Sequence, residues 1–395
     1  MTVTTGVVLA AGEGTRLRPL TRNRPKPMLP AGTRPILEYV FDALVEAGIE
    51  DIVVVVGYKR DRVQNRFGST YRDTPVTYVR QAKQLGSGHA LLQARDAIDG
   101  SFVAVNGDRV IDPETVTATL DRFDGNDPVM AVREHPRANQ YGAIELDGDR
   151  VVELAEKPGD DAYRLINAGV YALPSDWFEQ LADTPRRDGS LILTDGLTPQ
   201  VEDAGVPAVR TDGVWVDATY PWDLLEVTRR LLADGWVTES QRTRDVYVHR
   251  TATVHEDATL QGPVVVGADA EVGAGAVVGP ETALGRNTTV GANAAVERSV
   301  LDADTRVWTG ATVRDCVTGT AAAVGPGAVI PGGSADVRVG DRVFPDERLG
   351  AVLADQANVG GGARCVPGTL VGPNACVGVG AVASGRIPEG GRVVR

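Results

Sequence analysis

A six-residue spacing of aliphatic side chains governs the C-terminal part of this 395-residue chain. From Val248 to Val296 a valine or leucine recurs at every sixth position, and glycine often follows it, as in Val266-Gly267. An α-helix would need a period of 3.6 residues and a flat strand a period of 2, so neither accounts for the pattern. A hexapeptide repeat is typical of a β-helix, in which three hexads close one triangular coil around inward-pointing aliphatic side chains. We therefore predict a left-handed parallel β-helix.

The repeat is interrupted at two places. Its phase slips near residue 300 and recovers at Val307 and Val313, and residues 332–354 break it before it resumes at Val359. We predict that residues 332–354 leave the coils as an excursion. Cys365 falls on an inward aliphatic position, so we interpret it as a small apolar core residue and not as a reactive thiol.

Up to about residue 230 the chain alternates strand-like and helix-like patterns. Continuous apolar runs, typical of strands buried on both faces, occupy residues 7–9, 51–57 and 102–108. Residues 36–47 have helical spacing, and Gly48 follows them as a stop signal. This alternation predicts an α/β domain with a mostly parallel sheet covered on both faces. We therefore divide the chain into the α/β domain, a linker and the β-helix, at residues 1–235, 236–247 and 248–395.

The charge of the chain limits the class of partner. The net charge is −13 and the pI is near 4.9, which argues against nucleic acid as a partner. The composition is acidic and poor in lysine, which suits a protein that works in high salt. A genome of high GC content would explain the abundance of arginine equally well. No run approaches the ~18 apolar residues of a membrane span, and the N-terminus lacks the basic region of a signal peptide. We expect a cytoplasmic protein without nucleic-acid or membrane partners.

Cysteines and histidines are too few and too scattered for a zinc site or a disulfide framework. The three cysteines form no C-x-x-C pair, and the four histidines have no ligand spacing. Any bound metal must therefore be held by carboxylates.

A glycine-rich segment directly follows the first strand-like run, and Arg16 and Lys26 come after it. Backbone N–H groups at such a turn can surround a phosphate, and the two cations can neutralise a polyphosphate. No G-K-[ST] closes the loop, and Leu17 stands where a dinucleotide fingerprint has its third glycine, so it is neither a Walker A loop nor a dinucleotide site. The candidate nucleotide-binding residues on this segment are Leu9, Ala10, Ala11, Gly12, Gly14 and Thr15.

Together with residues 25–30 (PKPMLP), this segment resembles the signature of the sugar-1-phosphate nucleotidyltransferase superfamily. Residues 81–91 (QAKQLGSGHAL) are similar to the base-recognition segment of N-acetylglucosamine-1-phosphate uridyltransferases. The resemblance implies a Rossmann-like nucleotidyltransferase domain, and it implies that Gln81, Gly86 and Ser87 bind the base of the NTP.

Two further segments resemble the metal-binding motifs of the same superfamily. Asp108 ends the N-G-D sequence after a strand-like run, and Asp217 lies in residues 215–225 (WVDATYPWDLL). The resemblance implies that these two carboxylates hold Mg²⁺, an ion that prefers oxygen ligands. Residues 218–220 depart from the usual motif, which leaves Asp217 in place but puts the following turn in doubt.

The sugar-side motifs follow in the expected order. They are Y-G, E-K-P and N-A-G, and the resemblance implies that their residues bind the sugar phosphate. Lys157 would contact the phosphate and would act in catalysis with Arg16 and Lys26. The other candidate sugar-binding residues are Tyr141, Gly142, Glu156 and Asn167.

The implied reaction joins an NTP to a sugar 1-phosphate and releases pyrophosphate, and UTP with N-acetylglucosamine 1-phosphate is the favoured pair. Two alternatives remain open: a glucose-1-phosphate thymidylyltransferase that uses dTTP, and a non-catalytic regulatory subunit that senses a sugar nucleotide.

The domain order resembles archaeal bifunctional enzymes whose β-helix also acetylates glucosamine 1-phosphate with acetyl-CoA. That step needs a base, a histidine in the family, and no histidine follows His255. We therefore expect acetyl-CoA to be a cofactor only if this second activity exists, and we expect the β-helix to act as a scaffold that assembles a homotrimer.

Overall fold

The computed structural model describes residues 3–156, 158 and 163–394. The chain forms two compact units, which consist of Met1–Glu13 with Ile36–Val216 and of Gly14–Pro35 with Asp217–Arg395. The predicted domain limits at residues 235 and 248 stay a prediction. None of the helices in the described part of the chain has the length and apolar character needed to cross a bilayer.

Before Ser240, the described part of the chain contains fourteen strands and seven α-helices. The strands are β1 (Thr5–Ala10), β2 (Pro30–Ala31), β3 (Arg34–Pro35), β4 (Asp51–Val56), β5 (Thr70–Tyr71), β6 (Thr74–Arg80), β7 (Phe102–Asn106), β8 (Arg109–Ile111), β9 (Val129–Glu134), β10 (Gly142–Asp147), β11 (Arg150–Glu156), β12 (Leu165–Leu173), β13 (Val206–Arg210) and β14 (Trp215–Asp217). The helices are α1 (Ile36–Glu46), α2 (Arg60–Phe67), α3 (Ser87–Leu92), α4 (Pro113–Arg122), α5 (Trp177–Asp183), α6 (Thr198–Asp203) and α7 (Asp223–Ala233).

A ten-stranded sheet organises the first unit, in the order β10-β11-β13-β9-β12-β7-β1-β4-β6-β5. The predicted parallel arrangement is confirmed for β7, β1, β4 and β6. Beyond β7 the sheet is mixed, because β12 pairs antiparallel with both β7 and β9. The apolar runs that predicted the central strands are buried: Val7, Val8, Val54 and Val55 have no exposed surface.

The second unit contains the predicted β-helix, whose strands form three sheets. The pairing is parallel except for Ser240–Thr243, which is antiparallel to Val246–Val248. The first sheet contains Ser240–Thr243, Val246–Val248, Val264–Val266, Thr282–Leu284, Val300–Leu301, Cys316–Thr318, Ala351–Leu353, Thr369–Val371 and Arg386–Ile387. The second contains Thr253–Val254, Glu271–Val272, Thr289–Val290, Arg306–Val307, Ala323–Val324, Asn358–Val359, Cys376–Val377 and Arg392–Val393. The third contains Thr259–Leu260, Val277–Val278, Ala295–Glu297, Thr312–Arg314, Val329–Ile330, Arg364–Cys365 and Val382–Ala383.

The register of these sheets explains the phase of the repeat. Val246 pairs with Val264 in the next coil, 18 residues later, as three hexads require. Val300 pairs with Val317, so a coil there has 17 residues and the hexad phase slips by one. The inward position of Cys365 is confirmed, since its side chain is buried in the β-helix core. Burial raises the pKa of its thiol to about 12, as befits a core residue.

The predicted excursion is an antiparallel hairpin, which we call the inserted hairpin, formed by Ser334–Val339 and Arg342–Arg348. Asp315 anchors its base, because its carboxylate accepts a hydrogen bond from the Gly333 N–H (2.9 Å) and lies 3.3 Å from Arg348 Nε. The coils resume directly after it, with Val317 paired to Val352.

Candidate active site

The glycine-rich turn lies at the carboxyl end of β1, between β4 and β7. Beside it, the Gly107 N–H donates to the Leu9 carbonyl oxygen (3.0 Å). A Cβ atom on Gly107 would lie 2.8 Å from Val8 Cγ1, so only glycine allows this approach. The next residue is Asp108. The first unit thus brings one predicted metal-binding residue to the predicted phosphate-binding turn, at the sheet edge where α/β proteins bind ligands.

The predicted base-recognition segment reaches the same turn. Gln84 Nε2 donates to the Ala11 carbonyl oxygen (3.2 Å). Gln81 is buried, and its Nε2 lies 3.0 Å from the Gly86 carbonyl oxygen and 3.0 Å from His89 Nδ1. An amide nitrogen can only donate, so Nδ1 of His89 is the acceptor and the ring is neutral. Burial lowers the pKa of His89, and the positive charge of Arg186 lowers it further.

Gly86 fixes the start of α3. Its φ is +98°, and a Cβ atom there would lie 2.2 Å from the Leu191 carbonyl oxygen. Ser87, the first residue of the helix, accepts a hydrogen bond on Oγ from the Leu193 N–H (3.0 Å). The loop that carries Gln81 is therefore held against residues 191–193 by local geometry that requires glycine.

The predicted sugar-binding residues Gly142, Glu156 and Asn167 lie on neighbouring strands of the same unit. Gly142 pairs with Glu156 across β10 and β11. Asn167 on β12 is fixed at both ends of its amide: Oδ1 accepts from the Gly169 N–H (2.9 Å), and Nδ2 donates to the Tyr171 hydroxyl. Lys157 lies outside the described residues.

Several residues at this site were not predicted from the sequence. Trp215 forms ring contacts with His135 (5.8 Å) and Tyr141 (5.6 Å), and Arg109 and Arg133 place their guanidinium groups 5.2 Å and 5.4 Å from its ring centroid. Arg109 also donates to the Asn167 carbonyl oxygen (3.1 Å). Its position directly after Asp108 was the only sequence signal for it.

In the second unit, Lys26 is ion-paired with Asp217, with 2.7 Å between Nζ and Oδ1. Both side chains are mostly buried, at 12% and 6% exposure. Gly14 packs against this lysine, since a Cβ atom on Gly14 would lie 2.8 Å from Lys26 Cβ. Arg16, in the 3-10 turn Thr15–Leu17, is exposed.

The turn after Asp217 is intact despite its unusual sequence. The N–H groups of Thr219 and Tyr220 both donate to Oδ2 of Asp223 (2.9 and 2.7 Å). The Thr219 hydroxyl donates to Oδ2 of Asp217 (2.8 Å). Asp223 therefore closes the turn that leads into α7, and the departure from the usual motif does not disrupt it.

The donor chemistry fits the predicted ion. No group of three or more histidine, cysteine, aspartate or glutamate side chains in residues 3–156, 158 and 163–394 is arranged to hold a metal. Mg²⁺ does not require such a cage, because proteins commonly bind it through one or two carboxylates and the phosphates of the substrate. The Asp217 carboxylate accepts hydrogen bonds from Lys26 Nζ and from the Thr219 hydroxyl. Asp108 and Asp217, the two predicted ligands, carry the oxygen donors that this ion prefers.

A family model described as nucleotidyl transferase matches residues 5–234. This chain belongs to the nucleotidyl transferase family. A second model, described as the GMPPB C-terminal domain, matches residues 260–349 of this nucleotidyl transferase.

Relatives of this nucleotidyl transferase carry several names. A protein of Methanococcus vannielii named bifunctional protein GlmU is 35% identical over 234 residues, which cover 57% of this chain and 54% of the relative. This chain therefore spans about half the length of the GlmU relatives it matches. A Haloferax volcanii protein named UTP–glucose-1-phosphate uridylyltransferase AglF is 35% identical over 231 residues, 57% of this chain and 95% of the relative. Among solved structures, a UTP-bound UGPase from Acinetobacter baumannii has 25% identity and a TM-score of 0.52, covering 57% of this chain and 92% of its own.

Proposed function

We propose that this chain transfers a nucleotidyl group from an NTP to a sugar 1-phosphate and releases pyrophosphate, with UTP and N-acetylglucosamine 1-phosphate as the substrates. The observation that carries the proposal is the meeting of three segments at the end of β1. The Gly107 N–H donates a hydrogen bond to the Leu9 carbonyl oxygen (3.0 Å), and Gln84 Nε2 donates one to the Ala11 carbonyl oxygen (3.2 Å). These contacts support the proposal, because they bring together the segments that we assign to phosphate binding, metal binding and base recognition.

The reaction we infer has no covalent enzyme intermediate. An oxygen of the sugar phosphate attacks the α-phosphorus of the NTP in line, and the bond from that phosphorus to pyrophosphate breaks. Arg16 and Lys26 neutralise charge on the triphosphate, and Lys157 would do the same for the sugar phosphate. Mg²⁺ held by Asp108 and Asp217 would supply further charge neutralisation at the reacting phosphates. The chain itself contributes position and electrostatics.

The base would be recognised by the loop around Gln81. Its Nε2 is occupied by Gly86 and His89, which leaves Oε1 as the group of this amide that can accept from the N3–H of a uracil or thymine. This favours a pyrimidine NTP with that donor. Both UTP and dTTP meet the requirement.

Glucose 1-phosphate is the second candidate sugar. The Haloferax volcanii relative at 35% identity is named for UTP and glucose 1-phosphate, and it matches this chain over 95% of its own length. On the sugar side, the amide of Asn167 is already bonded to Gly169 and Tyr171. An N-acetyl group would therefore have to be recognised by groups other than the amide of Asn167.

A substrate grid tests the proposal. Each of UTP, dTTP, GTP, CTP and ATP is paired with N-acetylglucosamine, glucosamine and glucose 1-phosphates, and pyrophosphate release is measured with Mg²⁺ and high salt. We expect the UTP and N-acetylglucosamine 1-phosphate pair to have the highest kcat/KM. Highest activity with dTTP and glucose 1-phosphate would replace this substrate pair with the thymidylyltransferase alternative. Sugar-nucleotide binding without turnover of any pair would favour the regulatory subunit.

We propose that the β-helix does not acetylate glucosamine 1-phosphate. The groups near the segment that resembles the acetyl site are poor bases. Cys316 is fully buried, and burial raises the pKa of its thiol well above the usual range. Asp315 is 1% exposed and is paired with Arg298 (2.7 Å). Incubation with acetyl-CoA and glucosamine 1-phosphate should release no CoA above background.

We also propose that the chain assembles as a homotrimer through the β-helix. A triangular prism has flat faces, and closed symmetry lets one face bury apolar groups that a single chain leaves in water. Trp308, Val379 and Val382 are 47%, 73% and 63% exposed. Such side chains are candidates for burial between copies.

A further inference from the structure

Arg24 is a buried cation within the segment Gly14–Pro35. Its guanidinium forms ion pairs with the carboxylates of Asp302 and Asp355, and its second terminal nitrogen donates to Thr320 Oγ1 (2.6 Å). Burial by itself lowers the pKa of this group, and the two carboxylates more than offset that effect, so the pKa of Arg24 is raised above its usual range. The guanidinium is charged at every pH at which the protein folds.

The acceptors of Arg24 belong to the β-helix. Asp302, Thr320 and Asp355 follow Val300–Leu301, Cys316–Thr318 and Ala351–Leu353, which are adjacent strands of the first sheet. They are also linked to one another: the Thr320 hydroxyl donates to Asp302 Oδ2 (3.1 Å), and its N–H donates to Asp355 Oδ1 (3.0 Å). We call Arg24 and these three residues the arginine anchor.

A second contact joins the β-helix to the segment after Asp217. Tyr220 and Trp222 stack with 4.9 Å between ring centroids and 8° between ring planes. Phe344 of the inserted hairpin packs on both rings, at 4.5 Å and 5.4 Å. We call these three rings the aromatic anchor. Tyr220 stands at a position where residues 218–220 depart from the usual motif, and its ring contacts both Trp222 and Phe344.

The two anchors flank the ion pair of Lys26 and Asp217. Arg24 precedes Lys26 by two residues, and Tyr220 follows Asp217 by three. The β-helix therefore fixes both backbones from which the paired side chains project, while the 2.7 Å pair itself contains no β-helix residue.

From this arrangement we propose that the β-helix positions the Lys26–Asp217 pair for nucleotidyl transfer, with Arg24 and Phe344 as positioning residues that touch no substrate. The inference rests on the proposed function, because it assigns Lys26 and Asp217 to the reaction. Displacement of a phosphate-binding cation by about 1 Å can lower turnover strongly, which gives an anchor remote from the chemistry a direct effect on rate.

The test compares kcat and KM for UTP across variants of the full-length protein. Arg24→Met and Phe344→Ala should each lower kcat/KM for UTP at least about tenfold. Arg24→Lys should lose less kcat/KM than Arg24→Met, because lysine keeps the positive charge but cannot make the bidentate contact of a guanidinium. Arg286→Met is the matched control for the arginine, because the Arg286 side chain is 60% exposed and pairs with Asp304 of the same β-helix at 3.8 Å. Val343→Ala, an exposed position of the inserted hairpin, is the control for Phe344. Both controls should keep wild-type kinetics.

A coupling measurement separates positioning from a general loss of stability. In the Lys26→Met background, Arg24→Met should cause little further loss of kcat/KM, because Arg24 acts through Lys26. Equal loss in both backgrounds would overturn the inference. If Arg24→Met does not fold, the triple variant Arg24→Met/Asp302→Asn/Asp355→Asn leaves no unpaired buried charge and is measured in its place.

Folded variants with wild-type kinetics would overturn the inference, even if their melting temperature falls. In that case the anchors would only stabilise the fold. Failure of the proposed function gives a different result, since the wild-type protein itself would then turn over none of the NTP and sugar phosphate pairs, and the inference would fall with it.

Discussion

Single side chains that we propose to act in the reaction are held by hydrogen bonds and ion pairs within their own unit. Gln81 uses its amide nitrogen on Gly86 and His89, so its carbonyl oxygen remains available to a base. Asp217 pairs with Lys26 at 2.7 Å, and both side chains are mostly buried.

The carboxylates should be essential for turnover. Asp108→Asn and Asp217→Asn each keep the size of the side chain and remove its charge, so each should lower kcat by about 10²-fold or more. Asp61→Asn, whose side chain is 80% exposed on α2, is the control. Magnesium-dependent initial rates and far-UV circular dichroism give the two readouts. Near wild-type kcat in either variant would remove that residue from the metal site.

His89 should make UTP binding sensitive to acid. The pKa of His89 is lowered, so the folded state favours the neutral ring. The stability that the neutral ring contributes is complete above the ordinary pKa of 6.5 and is lost as the pH falls through the lower pKa of the folded state. A proton on Nδ1 would oppose the Gln81 amide, and KM for UTP should therefore rise as the pH falls from 6.5 through the lowered pKa of His89. His89→Asn supplies an acceptor that does not titrate, so the rise should disappear. A pH profile of KM with the same slope in both proteins would contradict this role.

At the scale of elements, Gly86 is the residue on which the base loop depends. Gly86→Ala places a Cβ atom 2.2 Å from the Leu191 carbonyl oxygen at a φ of +98°, so α3 must shift. We expect KM for UTP to rise and the melting temperature to fall. Gly100→Ala is the matched control, because Gly100 also has a positive φ of +87° but has no atom within 4 Å of its Cβ position. It should cost about 1–2 kcal/mol of backbone strain and leave KM unchanged. Equal effects on KM would exclude the contact with Leu191 as the cause.

Local repetition explains why so much of the fold could be predicted. The β-helix follows from one aliphatic residue in six, and Val266, Val278 and Val290 are all fully buried. The strands around β1 follow from continuous apolar runs. The antiparallel pairing of β12 could not be predicted in this way, since a buried run has the same composition in either direction.

The contacts that could not be predicted join residues that are far apart in the sequence or lie on separate strands. Gln81 and Asp108 lie in short motifs whose residues act together locally. Arg24 meets Asp302 and Asp355 across 278 and 331 residues of sequence, and nothing in the flanking residues indicates those partners. Trp215 was part of a recognised motif, yet its contacts with Arg109 and Arg133 depend on the packing of separate strands.

For the whole molecule, the account predicts a trimer. Association of one face of the prism would bury exposed apolar side chains such as Val379 and Val382. Light scattering in high salt should give the mass of three chains. Val379→Asp with Val382→Asp should reduce the mass, because charges at the centre of an interface oppose association. A full-length monomer over the working concentration range would refute the trimer.

The most direct test of the central claim follows a labelled phosphate through the reaction. UTP labelled at the α-phosphate is incubated with the protein, Mg²⁺ and N-acetylglucosamine 1-phosphate, and the products are separated by chromatography. The account predicts that the label moves into UDP-N-acetylglucosamine with one pyrophosphate released per transfer, and that neither product forms when the sugar phosphate is omitted. Label that stays in UTP with every sugar phosphate, or pyrophosphate released without one, would contradict it.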